Sequence, residues 1–153
     1  MAGWVRFADG KATILTAGLG VALTLLMTNA RTITQAIEKG CPAVCVVGGL
    51  TAVAVVSFLY TLFWLVRAIG PQKGVTYTGL NRFAWPTLVK ATPEQLIGHT
   101  NTVDVQTDAW RQAIDLSILA DRKFKACGHA IQGFGVLIVL GAATIATAIG
   151  FTT

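Results

Sequence analysis

The sequence predicts an all-α membrane protein: three transmembrane helices, the first and third continuing into the cytoplasm as a helical extension. Two observations predict it. Residues 12–30, 43–66 and 131–151 are apolar runs of about twenty residues or more without Asp, Glu, Lys or Arg, the length a helix needs to cross about 30 Å of hydrocarbon. Between the second and third runs lies a polar segment, 67–130, that becomes helical in its periodicity before it reaches the membrane. The chain is 54% hydrophobic and only 12% charged, against about 25% charged in ordinary soluble domains. A soluble bundle would break its apolar stripes with charge at every turn. Residues 1–153 therefore read as a single membrane domain.

The net charge of +5 is explained by topology more simply than by nucleic acid. Lys and Arg stay on the cytoplasmic side of a bilayer. The 67–130 segment carries eight of the twelve, whereas the connector after the first run carries only Arg31 and Lys39, with Glu38 beside them. The long segment and the N-terminus, with Arg6 and Lys11, are expected inside. The connector and Thr153 are expected outside. Trp4 and Phe7 before the first run, and Tyr60, Phe63 and Trp64 at the end of the second, suit the cytoplasmic interface. The first run is longer than a signal-peptide core, and Asp9 does not belong in a basic leader, so it is expected to be a retained crossing.

Taken in order, the residues from Trp4 to Lys11 are expected to be helical and continuous with the first crossing. Gly18, Gly20 and several threonines there allow close helix approach and interhelical hydrogen bonds. The second crossing starts after Pro42, a first-turn residue, and contains Gly48-Gly49, a close-packing or bending point. Gly70-Pro71 ends it. Residues 72–91 show no period, and Val75, Tyr77 and Leu80 to Trp85 suit short extended pieces or an ordered loop. Thr92-Pro93-Glu94-Gln95 is a capping box, opening a short helix that stops near Gly98. A second start at Thr102 to Asp104 leads into one helix of more than forty residues. Its inner face is expected at Ala109, Ala113, Leu116, Ala120, Phe124 and Cys127, widened by Trp110, Ile114 and Ile118, with a bend at Gly128.

Little catalytic chemistry is legible. His99 and His129 have no metal-ligand neighbour at i, i+4, and no paired Cys-x-x-Cys exists. No phosphate loop or hydrolase motif is present. Neither histidine shows a partner in the sequence, and both read as polar surface or interfacial residues. The crossings contain no ionisable residue of the kind that marks an ion pathway. An enzyme, a cofactor and a metal are not expected. Cys41 and Cys45 lie near the outer face, where a disulfide is conceivable but constrains little. Small apolar packing is the commoner role of such cysteines.

Two charged clusters stand at membrane boundaries: Asp9-Gly10-Lys11 before the first crossing and Asp121-Arg122-Lys123 before the third. Side-by-side packing of these helices brings the clusters together, so that Asp9 faces Lys123 or Arg122, and Asp121 faces Lys11. One reading is an interfacial salt-bridge network with snorkelling lysines. The other is an anion site, with Arg82 and Arg111 as further phosphate candidates. Trp85 and Trp110 are candidates to stack a base, or anchors of packing.

These clusters carry a family likeness. Phe7-Ala8-Asp9-Gly10-Lys11-Ala12 resembles the A-D-x-K-A start of bacterial Pycsar transmembrane effectors. Ile118-Leu119-Ala120-Asp121-Arg122-Lys123-Phe124 resembles their later I-A-x-x-K-Y element, with Phe124 at the aromatic position and one extra residue after Ile118. The likeness covers residues 7–27 and 118–140; the middle does not align. It implies an antiphage effector of the bacterial inner membrane that answers a cyclic pyrimidine mononucleotide, cyclic CMP or cyclic UMP, made by a partner cyclase. Such an effector compromises the membrane and aborts infection. Asp9, Lys11 and Lys123 match the family's motif positions, and the match leaves open whether they bind nucleotide or brace helices. A pore from three-helix subunits requires several copies, so a homo-oligomer in the lipid bilayer is expected, with no nucleic acid polymer as partner. The alternative is a structural or adaptor protein that binds a protein partner through its amphipathic helix.

Overall fold

The computed structural model of the chain describes residues 2–70 and 79–152, with side chains from Gly10 onward. The described elements are helical, and no strand occurs among the described residues. They are α1 (Ala2–Thr28), α2 (Ala30–Glu38), α3 (Cys41–Ala43), a π turn (Val44–Gly48), α4 (Gly49–Ile69), α5 (Trp85–Leu88), α6 (Pro93–Thr102) and α7 (Val105–Thr152). Gly10–Thr28, Cys41–Ile69 and Val105–Thr152 are long and apolar enough to cross a membrane. The extended pieces expected at Val75 and Tyr77 lie outside the described residues.

α7 runs for 48 residues and passes Gly128 unbroken. No proline interrupts it, and its first turn is capped by Asp104, whose Oδ2 accepts from the Gln106 amide at 3.1 Å. α4 lies antiparallel to it, with Thr61 and Tyr60 against Gly133 and the Trp64 ring against His129. α1 lies parallel to it, with Gly18 under Phe134 and Leu26 reaching Gly141. The shared core is small-residue packing: Ala12, Leu19, Ala22, Ala54, Leu65, Ala130 and Leu137, flanked by Phe58, Trp64 and Phe134. Where apolar side chains gain nothing by leaving lipid, close contact of this kind holds helices together. A Cβ on Gly133 would lie 2.6 Å from Thr61 Oγ1 and 2.8 Å from Tyr60 Cδ1, so the α4–α7 approach depends on that glycine.

Several expectations change. Three threonines of the first crossing turn back on their own helix: the hydroxyls of Thr16, Thr24 and Thr28 donate to the carbonyls of Ala12, Gly20 and Thr24. The carbonyl one turn back is always within reach and needs no second helix. Gly20 has no close neighbour, unlike Gly18. The connector after α1 is itself a helix. α2 buries Ile33 and Ala36 against Val47 and Ala148, and Lys39 Nζ donates to the Thr152 carbonyl at 3.1 Å, closing the end of the bundle away from α5 and α6. The irregularity at Gly48-Gly49 is the π turn ending at Gly48, and neither glycine is closely packed. α6 continues past Gly98 to Thr102. On α7 the expected face turns inward only in part: Cys127 is buried and Ala113, Leu116, Ala120 and Phe124 are half-buried, but Trp110, Ile114 and Ile118 are exposed. Asp108, Lys123, Ala126, Cys127 and Ala130 are buried, while Ala109 is exposed, because the neighbours lie on the Asp108 side.

Candidate functional site

The polar end of the molecule is organised around one carboxylate. The Asp108 side chain, in the first turn of α7, has 0% exposure. Arg82 Nε meets its Oδ2 at 2.8 Å, and His99 Nε2 lies 2.9 Å and 3.1 Å from its two oxygens. Asn81 Nδ2 donates to the Asp108 carbonyl at 3.0 Å, and Arg82 Nη2 donates to the Val103 carbonyl at 2.6 Å. Burial pushes the Asp108 pKa up, but the hydrogen bonds from Arg82 and His99 outweigh it and hold the group below its ordinary 3.8.

Local sequence places each partner. The Thr92 capping box forms in full: its hydroxyl accepts from Gln95 N, and the Gln95 side chain accepts from Thr92 N. Pro93 occupies the first turn. That start directs α6 so that His99, two turns on, faces α7 across the Val103–Asp104 turn. Hydrogen bonds from its own backbone and then from Thr92 lower the Glu94 pKa. Asn81 and Arg82 stand in a turn that Thr87 closes, its hydroxyl donating to the carbonyls of Asn81 and Ala84 at 2.9 and 2.8 Å. One turn along α7 from Asp108, Gln112 holds a buried side-chain oxygen with no partner among the described residues.

Arg82, expected as a phosphate candidate, is thus committed to Asp108 and Val103. An anion arriving there must displace Asp108 or use the remaining guanidinium donors. Arg111 is exposed on α7. Trp85 and Trp110 are 74% and 69% exposed, and neither ring stacks on another among the described residues.

A second cluster lies where α1 meets α7. Lys123 is buried, with 9% exposure. Cys127, one turn further, is buried too. Burial raises its thiol pKa, and the neighbouring Lys11 ammonium pulls against that rise. The two motif lysines are therefore brought to one region of the α1–α7 seam. Asp121 turns elsewhere: it is exposed and pairs with Lys125 on the next turn at 2.7 Å. Lys11 and Cys127 each precede the Gly18–Phe134 contact of this parallel pair by seven residues, so Lys11 is level with Cys127, about 9 Å along the axis from Asp121. Arg122 is exposed beside Lys123. The Asp9 side chain, and with it the expected Asp9 contact, lies outside the described residues. Cys41, Cys45 and Cys127 are free thiols, the first two exposed.

Sequence reasoning missed the Asp108–His99 contact. The residues are nine positions apart and on different helices, so no single periodicity joins them; two adjacent helix-start signals were the available hint. No group of three or more His, Cys, Asp or Glu able to hold a metal occurs among the described residues.

Neither the curated proteins nor the solved structures contain a match to this chain. The Pycsar effector protein domain matches residues 1–151, spanning both motif lysines, the Asp108 cluster and all three long apolar helices, and the chain therefore belongs to the Pycsar effector family.

Proposed function

We propose that this protein is the membrane effector of an antiphage system, activated by a cyclic pyrimidine mononucleotide and acting by impairing the integrity of the bacterial inner membrane. The family match over residues 1–151 carries this reading. The fold supports it with a route. α7 is one helix that carries Asp108 in its first turn, passes Lys123 at the α1 seam and continues through the apolar bundle. A ligand that alters either charged cluster acts on the same rigid element that packs against α1 and α4. The polar segment, 67–130, faces the cytoplasm, where a cyclase product is available, and the α2 end faces the periplasm.

Lys11 and Lys123 are the proposed phosphate ligands or helix braces, with Asp9, Arg111, Asp121 and Arg122 around them; Trp85 and Trp110 are the proposed base platforms. Calorimetric titration of the folded protein with cyclic CMP and cyclic UMP tests direct sensing. Saturable binding to one of them supports it, and binding to neither contradicts it. Lys123→Ala should abolish the response with expression intact if Lys123 contacts phosphate. Rescue by exchanging charges, Asp9→Lys with Lys123→Asp, would show a brace instead.

Membrane impairment by a three-helix chain calls for a homo-oligomer. Gly20 has open space where a Cβ would stand, which suits close approach of a second copy. An adaptor role has one observation in its favour: Trp110, Ile114 and Ile118 form an exposed apolar stripe at four-residue steps on the polar part of α7. Stable co-purification of a protein partner, without any nucleotide response, would favour that role.

A further inference from the structure

A third cluster sits on the opposite flank of α7 from α1, at the level where its apolar run begins. The Trp64 ring of α4 lies against the His129 imidazole of α7, with centroids 4.5 Å apart and planes 32° from parallel. The Arg67 guanidinium stands 5.9 Å from the centroid of the same indole. Tyr60 and Phe63 meet Trp64 edge-on at 6.3 and 5.5 Å, so the indole is fixed from several sides. Arg122, Lys125 and His129 follow at i, i+3 and i+7, on one face of α7. Arg67, Arg122, Lys125 and His129 are all exposed. Lys125 also pairs along α7 with Asp121 at 2.7 Å.

We infer that this α4–α7 flank is a binding site for the headgroup phosphate of an anionic phospholipid. The inference rests on the membrane reading of the three apolar helices. Two guanidiniums and an imidazole from two helices supply planar donors suited to phosphate oxygens, at the depth where headgroups lie. Immediately toward the bilayer the same flank becomes apolar and open: Val56, Tyr60 and Val136 are 64%, 43% and 51% exposed. That continuation offers a track for acyl chains. A soluble phosphodiester such as a cyclic nucleotide has nothing to place on it, so the combination selects a lipid. Basic groups between transmembrane helices at an interface recognise anionic headgroups on the same physical grounds.

Native mass spectrometry of the full chain, released from micelles containing equal amounts of phosphatidylglycerol and phosphatidylcholine, tests the site. The wild-type protein should retain phosphatidylglycerol preferentially. Arg67→Gln with Arg122→Gln should weaken that retention about thirtyfold. Arg67→Lys with Arg122→Lys should recover part of it, and Lys90→Gln, away from the flank, should change it less than about twofold. Equal retention of the two lipids by the wild type would overturn the inference, a result independent of whether any variant folds. So would an equal loss in Lys90→Gln, or displacement of bound phosphatidylglycerol by cyclic CMP, which would assign the flank to the soluble nucleotide.

Discussion

Asp108 shows how much one side chain can organise: a turn, a short helix and the start of the long helix all hang on its two oxygens and its carbonyl. Asp108→Ala leaves Arg82 and His99 without their acceptor and should cost about 2 kcal/mol, seen as lower stability and as faster amide exchange in α6 and the first turns of α7. Asp108→Asn should cost less, since one oxygen remains to accept. The pH dependence has a fixed sign. Asp108 has a folded pKa below its unfolded value, so its contribution is complete above about pH 4 and is lost as pH falls through the lower folded pKa. Exchange protection of α6 should therefore drop below pH 4 in the wild type, and this drop should be much smaller in Asp108→Asn. Protection that ignores pH equally in both would contradict the role given to the carboxylate. None of this was readable from spacing, because the pairing is made by the fold-back at Val103–Asp104. The Thr92 cap was readable, because all its atoms lie within four residues.

At the scale of elements, what is local and periodic was legible and what is relational was not. The length of α7 followed from an unbroken pattern without proline, and the end of α4 and the start of α6 followed from Gly70 and the capping box. The buried face of α7 did not, because Ala109 and Asp108 differ by one helical step and only the position of the neighbours decides between them. α2 was hidden in a connector whose Ile33, Ala36 and Ile37 make sense only against Val47, Ala148 and Phe151. Glycines were legible as a class and not individually. Gly133 is in tight contact, whereas Gly135 is open. Gly133→Ala should thus destabilise the α4–α7 pair by about 1–3 kcal/mol through overpacking. Gly135→Ala should be neutral or stabilise by up to about 1 kcal/mol through helix propensity. Thermal unfolding of both variants in the same detergent checks the contrast, and equal effects would mean that the close approach at Gly133 is not a determinant of the packing.

At the scale of the molecule, α7 joins every part: the Asp108 cluster at one end, Lys123 and the α1 seam in the middle, and the α2 cap at the other end. Its orientation is testable with the native thiols. Cys41 and Cys45 are exposed at the α2 end, and Cys127 is buried. A membrane-impermeant maleimide should label Cys41 and Cys45 in cells with intact inner membranes, and labelling that requires permeabilisation would reverse the topology. The motifs at residues 7–12 and 118–124 made the family legible before the structure placed Lys11 and Lys123 at one seam, while the middle of the chain gave no such signal. The central claim is that a cyclic pyrimidine mononucleotide turns this bundle into an agent of membrane failure. Release of an entrapped dye from proteoliposomes containing the protein tests it most directly. Release should begin on adding cyclic CMP or cyclic UMP, should not begin with the linear nucleotide, and should be lost in Lys123→Ala. Sealed vesicles that hold their dye in the presence of either cyclic nucleotide would contradict the account.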